Sequence, residues 1–220
     1  MQRIKTPKLW AFSAVVVLSL MALPAMASAQ SYDVTITNLT KGQIFSPPIV
    51  YSHRQSFDLF TPGEPAIPEL AGVAEDADND PLVALLGAEP RVADVAVAGA
   101  PVMPGASTTV RVHAKGRARA ISALGMLVTT NDAFFAGGSG VPAFKKSVYA
   151  PAWDAGSEAN TQECAHIPGP PCGTHFHVEG GAEGYVYIHN GMQDRGDLSA
   201  EVWDWRNPVA KITIRRAKKY

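Results

Sequence analysis

Two acidic loops carry the side chains of this sequence that are best suited to bind a metal ion. Asp132 lies in the segment 129–137, and Asp154 and Glu158 lie in the segment 151–160; each segment follows an apolar, strand-like run. Their carboxylates are accompanied by hydroxyls, amide oxygens and turn-forming glycines, and neither loop contains Cys or His. Hard oxygen donors of this kind suit Ca²⁺ better than Zn²⁺ or copper. The ordinary alternative is that Asp132 and Asp154 cap tight turns, as Asp does in many loops without a metal.

The N-terminus has the pattern of a secretory signal. A basic segment without acidic residues (1–10) precedes an apolar run (11–23) and a small-residue cleavage site, Ala27-Ser28-Ala29. The apolar run is short for a membrane-spanning helix, which needs about 20 residues. We therefore predict a cleaved signal over residues 1–29 and one domain over residues 30–220, located in the periplasm, at the envelope surface or outside the cell. An uncleaved membrane anchor is the alternative.

The charge balance argues against nucleic acid as a partner. The chain has 19 basic and 20 acidic residues, and removal of the three basic residues of the signal leaves 16 basic residues against 20. A mildly acidic mature protein lacks the basic surface that phosphate contacts require.

Both cysteines, Cys164 and Cys172, lie in one short segment. In an oxidising compartment we predict a disulfide between them, which would stabilise the fold by about 2–3 kcal/mol through closure of a short loop. A catalytic or metal-binding Cys pair is the competing hypothesis, although the spacing matches no zinc or redox motif.

The hydrophobic pattern is mainly that of β-structure. Apolar and polar residues alternate over 32–37, 109–113 and 211–215, and the run 121–128 is apolar on both faces, as in a central strand. The segment 184–189 is a similar strand candidate with an aromatic face. Gly and Pro together number 36 and interrupt the chain frequently. These features predict an antiparallel β-sandwich of short strands.

One helical insert is predicted between Pro68 and Pro90. Apolar residues recur at helical spacing over 69–77, and Asp80 is expected to cap a second turn that begins with Pro81. The acidic stretch 76–80 imitates an EF-hand loop but lacks its Gly and its bidentate Glu. We assign these acids to helix termini and a solvated turn.

Several segments, in the same order, resemble the spondin N-terminal domain, and the resemblance covers nearly the whole mature chain, from about residue 32 to residue 215. The segments are Phe45-Ser46-Pro47-Pro48-Ile49-Val50-Tyr51-Ser52-His53, Phe60-Thr61-Pro62-Gly63-Glu64-Pro65-Ala66, Leu70-Ala71-Gly72-Val73-Ala74-Glu75-Asp76, Asn131-Asp132-Ala133-Phe134-Phe135-Ala136-Gly137 and Trp153-Asp154-Ala155-Gly156-Ser157-Glu158.

The resemblance implies a β-sandwich akin to calcium-dependent membrane-targeting domains, with one Ca²⁺ between loops. Matched position by position, it implies Asp132, Asp154 and Glu158 as ligands. Glu158 departs from the family pattern, which usually has Asp there. Animal members lie in extracellular matrix proteins beside other modules, so their partners do not transfer to this chain. Further oxygen donors nearby are Asn131, Asn160 and Glu163.

The sequence leaves two functional hypotheses from different classes. The first is a secreted, calcium-binding, non-catalytic domain for adhesion or surface interaction, with an unidentified extracellular or envelope partner. The second is a secreted cupin-like metalloenzyme that uses His175 and His177, although the Glu expected after them falls at least one residue late, at Glu183. Nucleophilic catalysis has no support from a Gly-x-Ser-x-Gly motif.

Three aromatic residues flank the acidic loops, namely Phe134, Phe135 and Trp153. They could insert into a membrane surface beside a bound ion, or they could belong to the core at the ends of strands. We favour the core. Peripheral membrane contact remains a hypothesis.

Overall fold

The computed structural model describes residues 29–174, 176–178 and 180–218. The predicted signal, apart from Ala29, lies outside the described residues, and so does His175 of the histidine hypothesis.

The first sheet has four antiparallel strands. Strand β1 (Gln30–Asn38) pairs with β4 (Ser107–Ala114) on one side and with β10 (Ala210–Arg216) on the other, and β7 (Lys145–Ala150) continues the sheet beyond β10. Burial alternates along β1 and β10, because one face of each strand lies on the core and the other is more open to solvent. The three strands predicted from alternation are confirmed.

The second sheet has six antiparallel strands, and its central strand β5 (Ala120–Met126) is buried along almost all of its length, as predicted from the apolar run 121–128. The strand predicted over 184–189 is reduced to two paired residues at the sheet edge. The strand order is β3 (Val92–Val97), β2 (Ile49–His53), β5 (Ala120–Met126), β6 (Ala133–Gly140), β8 (Ala152–Asp154) and β9 (Tyr187–Ile188).

The two sheets pack face to face around the main core. Val34 and Ile36 of the first sheet and Ile121 and Phe135 of the second are fully buried in one cluster. Fully burying an aliphatic or aromatic side chain contributes about 1.5–3 kcal/mol, so this layer is the main apolar contribution to the fold. The protein is therefore a β-sandwich, as predicted. Phe134 is also fully buried, which confirms the core interpretation for both phenylalanines.

The helical insert covers part of the outer face of the second sheet. Helices α1 (Pro68–Asp76) and α2 (Asp80–Ala88) pack buried leucines and valines against Leu124 and Phe134. Asp80 is the first residue of α2, with Asn79 at the N-cap, so this helix begins one residue earlier than the sequence pattern suggests. The EF-hand-like stretch forms the end of α1, the turn and the start of α2, as expected.

A long connection without much regular structure runs from β8 to β9. It contains a short 3₁₀ turn (Cys164–His166) and is followed by β9, a short helix α3 (Ala200–Trp203) and the final strand. Within the described ranges, no helix has the length and hydropathy needed to cross a membrane.

Candidate metal centre

Asp132 and Asp154 meet at one end of the second sheet because their strands are neighbours. Asp132 immediately precedes β6, and Asp154 is the last residue of β8. In the antiparallel register Ala133 lies opposite Asp154, and the Ala155 N–H donates to the Asp132 carbonyl over 3.1 Å. Both aspartates are completely buried. The structure therefore brings together the first two ligands that the spondin resemblance implies.

One oxygen of the Asp132 carboxylate is well satisfied and the other is not. Oδ2 accepts hydrogen bonds from the backbone N–H groups of Ser157, at 2.8 Å, and Glu158, at 3.0 Å. Oδ1 is buried and has no hydrogen-bond partner. A buried polar atom without a partner is uncommon and costs about 1–3 kcal/mol or more when it is charged, so Oδ1 is the natural position for a bound ligand.

Gly156 allows the loop after β8 to turn back towards Asp132. Its φ of +66° lies in the left-handed region, and a Cβ at this position would come within 2.2 Å of the Tyr185 carbonyl oxygen. The same turn brings the Gly156 N–H to Asp154 Oδ1, at 2.8 Å. Glycine is required here both by conformation and by space.

Asp154 is held by a chain of neutral groups. Its Oδ2 accepts from Asn160 Nδ2 at 2.7 Å, and the side-chain oxygen Oδ1 of Asn160 lies 3.0 Å from His189 Nε2. His189 Nδ1 accepts from the Gly191 N–H, so the imidazole proton is on Nε2, where it donates to Asn160. Burial lowers the pKa of His189 to about 4, so this ring is neutral at neutral pH.

The two carboxylates therefore lack a counter-ion in the described part of the chain. Neither Asp132 nor Asp154 contacts a Lys or an Arg there, and the nearest imidazole, His189, is 3.6 Å from Asp154 Oδ2 and uncharged. Burial, and then the charge of Asp154, raise the pKa of Asp132 well above its usual value. Burial likewise raises the pKa of Asp154 to about 6.

Glu158, the third implied ligand, contributes to the centre through its backbone, while its side chain joins a second cluster. Its Oε1 lies 2.8 Å from His177 Nδ1 and accepts from the Val178 N–H at 3.1 Å. His177 also lies within 3.2 Å of Glu75 Oε2 and 3.4 Å of Asp76 Oδ2. The hydrogen bond to Glu158 raises the pKa of His177. Burial raises the pKa of Glu158.

Glu183 and Tyr187 belong to the surroundings of the candidate metal centre, and the sequence did not indicate their position there. Tyr187 Oη donates to Glu183 Oε1 at 3.1 Å, and Asn160 Nδ2 lies 3.3 Å from Tyr187 Oη and 3.4 Å from Glu183 Oε1. The charge of Glu183 contributes to the raised pKa of both aspartates. The sequence feature that could have placed Tyr187 beside His189 is the period-two alternation over 184–189, because it puts both side chains on one face.

The other oxygen donors near the loops have structural partners. Asn131 Oδ1 accepts from the Gln162 N–H at 3.2 Å, and Glu163 Oε2 lies 3.6 Å from His166 Nδ1. Of the three additional donors, only Asn160 contacts a predicted ligand.

Cys164 and Cys172 form the predicted disulfide. The loop it closes packs against the segment before Asp132: Thr129 Oγ1 donates to the Pro170 carbonyl at 2.8 Å, and a Cβ on Gly169 would come within 2.1 Å of the Val128 carbonyl oxygen. The covalent bond therefore restrains a loop that packs beside the candidate metal centre.

The donor set fits Ca²⁺. Asp132 and Asp154 supply carboxylate oxygens, Glu183 lies close by, and both nitrogens of His189 are already used in hydrogen bonds. Oxygen donors in a loop setting match the preference of Ca²⁺ for six to eight oxygens in flexible geometry.

No family model matches this chain, and no curated protein sequence matches it.

Proposed function

We propose that this chain is an exported, non-catalytic calcium-binding domain for adhesion or surface interaction, with one Ca²⁺ held between Asp132 and Asp154. The observation that carries the proposal is Asp132 Oδ1, which is buried, has no hydrogen-bond partner and belongs to a carboxylate beside a second buried carboxylate. The resemblance to the spondin N-terminal domain supports the same pair of ligands.

Electrostatics favours a cation at this position. Removing a carboxylate from water costs several kcal/mol per ion even after relaxation, and two carboxylates buried beside each other add mutual repulsion. A divalent cation would replace that repulsion with attraction and would satisfy Asp132 Oδ1. The neutral His189 does neither.

The ion would serve mainly to stabilise the fold. It would add a further link between the loop before β6 and the loop after β8, which already share hydrogen bonds that include those of Asp132 Oδ2. A ligand that binds only the folded state at 100 times its dissociation constant adds about 2.7 kcal/mol to the free energy of unfolding.

The proposed compartment is extracytoplasmic, and the partner is an extracellular or envelope component. The disulfide supports an oxidising compartment. Membrane insertion by Phe134 or Phe135 is disfavoured because both rings are fully buried. Two different phenylalanines, Phe144 and Phe176, are exposed on the described surface and are available for contacts.

The second cluster contains His177 of the alternative hypothesis, a cupin-like metalloenzyme that uses His175 and His177, and offers a different metal site. Glu75, Asp76 and His177 place one ligand atom each within 4.8 Å of one another, and Glu158 joins them through His177. One imidazole among carboxylates suits a first-row transition metal such as Zn²⁺ or Mn²⁺ better than Ca²⁺. A protonated His177 paired with these acids explains the same contacts without a metal.

Thermal unfolding of the mature protein in chelator, and then with Ca²⁺, Mg²⁺ or Zn²⁺, tests the proposal. We expect the midpoint to rise selectively with Ca²⁺, to lose that rise in Asp132→Asn and to keep it in His177→Ala. A rise with Zn²⁺ alone, lost in His177→Ala, would reject the calcium proposal in favour of the second cluster.

A further inference from the structure

The outer face of the six-stranded sheet contains a cavity of about 280 Å³ that the helical insert leaves uncovered. Its floor comes from strands β2, β5, β6 and β8, and the segment 57–62 forms one wall. Ser122, Ala136 and Gly138 are small, and their size leaves the space open. Asp132, Asp154 and Glu183 do not line this cavity, so it is separate from the candidate metal centre.

Aromatic rings stand at both ends of the cavity. At one end Tyr51 and Phe57 meet edge to face, with ring centroids 6.1 Å apart. At the other end Phe60 and Trp153 meet in the same way, with centroids 5.2 Å apart. The faces of such rings carry partial negative charge and attract cations.

The protons of His53 and Ser122 on the polar floor are already used in hydrogen bonds. His53 Nδ1 lies 2.9 Å from the Arg54 carbonyl oxygen, so Nδ1 carries the imidazole proton and donates it there. His53 Nε2 is then an acceptor, and the Ser122 hydroxyl, at 2.9 Å, donates to it.

What His53 and Ser122 offer to a ligand is therefore lone pairs. Ser122 Oγ retains acceptor capacity, and the exposed carboxylate of Asp58 adds an acceptor with negative charge at the cavity mouth. Burial lowers the pKa of His53, which keeps the ring neutral at neutral pH. A floor of acceptors without a positive charge selects hydrogen-bond donors.

The surrounding cations do not cancel this preference. Arg91 lies 5.0 Å above the Phe57 ring, but it does not line the cavity, and Glu89 holds its guanidinium through two hydrogen bonds of 2.8 and 2.9 Å. The contact shows that one aromatic residue of the wall already stacks with a cation. Arg54 is exposed and does not line the cavity, and its carbonyl oxygen accepts the His53 proton.

We propose that this cavity binds a small organic cation, namely an ammonium group attached to an aromatic or aliphatic ring. The ammonium donates to Ser122 and Asp58, and the ring lies between the small floor residues and the Phe60–Trp153 pair. The cavity volume is just below the usual range for ligand sites and suits a ligand of about ten non-hydrogen atoms. This inference does not depend on calcium binding.

Benzylamine, which is cationic at neutral pH, and benzyl alcohol, its neutral analogue of the same shape, are the matched probes. Titration of each into the mature protein, followed by calorimetry and by amide chemical shifts, should show saturable benzylammonium binding with a dissociation constant of about 1 mM or lower. Benzyl alcohol should bind at least about tenfold more weakly, because it lacks the charge that Asp58 and the rings recognise.

Variants locate the binding. Asp58→Asn should remove the preference for the amine, whereas Asp78→Asn, an exposed aspartate outside the cavity, should leave it unchanged. Phe60→Ala, checked for folding by circular dichroism, should weaken both probes. Asp132→Asn should leave benzylammonium binding unchanged, which separates this proposal from the metal centre.

Three outcomes would overturn the proposal: no saturable binding of benzylammonium, equal binding of the amine and the alcohol, or an amine preference that survives Asp58→Asn.

Discussion

The carboxylates of Asp132 and Asp154 are buried beside each other at the end of the β6–β8 pair, and the charge of Asp154 helps to raise the pKa of Asp132. Two adjacent strands thus impose a repulsion that the described part of the chain does not neutralise. This relationship is the origin of the calcium proposal, and most of the predictions follow from it.

Asp132→Asn should separate the destabilisation caused by the buried charge from the stabilisation that the bound ion provides. The side-chain oxygen of Asn can replace Asp132 Oδ2 and accept from the backbone N–H groups of Ser157 and Glu158. Its NH₂ group can then take the position of the unpartnered Oδ1. In chelator we expect the free energy of unfolding to rise by about 1–3 kcal/mol, because one buried charge is removed. In Ca²⁺ the wild type should become the more stable protein. Urea unfolding in both buffers measures this, with Asp78→Asn as the control; a variant that is less stable in chelator would contradict it.

The stability difference between Asp132→Asn and the wild type should depend on pH in chelator. Folding raises the pKa of both aspartates, that of Asp154 to about 6, so the folded protein binds protons that the unfolded chain has released. The cost of ionisation is therefore present at neutral pH and disappears as the pH falls towards the unfolded value of about 3.9. The free energy of unfolding that Asp132→Asn gains over the wild type should be largest near neutral pH and small near pH 4. Urea unfolding as a function of pH checks this, and an advantage independent of pH would refute it.

Gly156→Ala should damage both folding and calcium binding. Its positive φ costs about 1–3 kcal/mol for a residue with a side chain, and the new Cβ would also contact the Tyr185 backbone. Gly184→Ala is the matched control, because Gly184 has a φ of +81° but no atom within 4 Å of the added Cβ. We expect the first variant to lose clearly more stability in urea unfolding, and to bind calcium more weakly in calorimetry. Equal losses would show that the turn does not position the loop.

Glu158→Gln decides between the ligand role implied by the spondin resemblance and the contacts observed. The backbone N–H that donates to Asp132 is retained, whereas the charge beside His177 is lost. From these contacts we expect calcium affinity to change by less than about threefold and the pKa of His177 to fall. Calorimetry and histidine NMR titration report the two quantities, and loss of calcium binding would restore Glu158 as a ligand.

The architecture was predictable where burial follows a simple period. Alternation identified β1, β4 and β10, and the apolar run 121–128 identified the central strand β5. The strand at 184–189 was predicted too long because β9 pairs with the short strand β8, in a register that covers Tyr187 and Ile188.

The arrangement of the candidate metal centre was predictable only in part. Asp132 and Asp154 carry a local signal in their loops, and strand pairing brings them together. The direction of the Glu158 side chain depends on His177 and on the end of α1, which are distant in sequence and become neighbours only in the fold. The cavity on the outer face was not predictable for the same reason, since His53 and Ser122 are joined across two strands.

A crystal structure of the mature protein grown in Ca²⁺ tests the central claim most directly. The account predicts one ion with Asp132 Oδ1 and an oxygen of Asp154 in its shell, at about 2.3–2.6 Å. An ion bound only by Glu75, Asp76 and His177, or no ion beside Asp132 at saturating Ca²⁺, would contradict it.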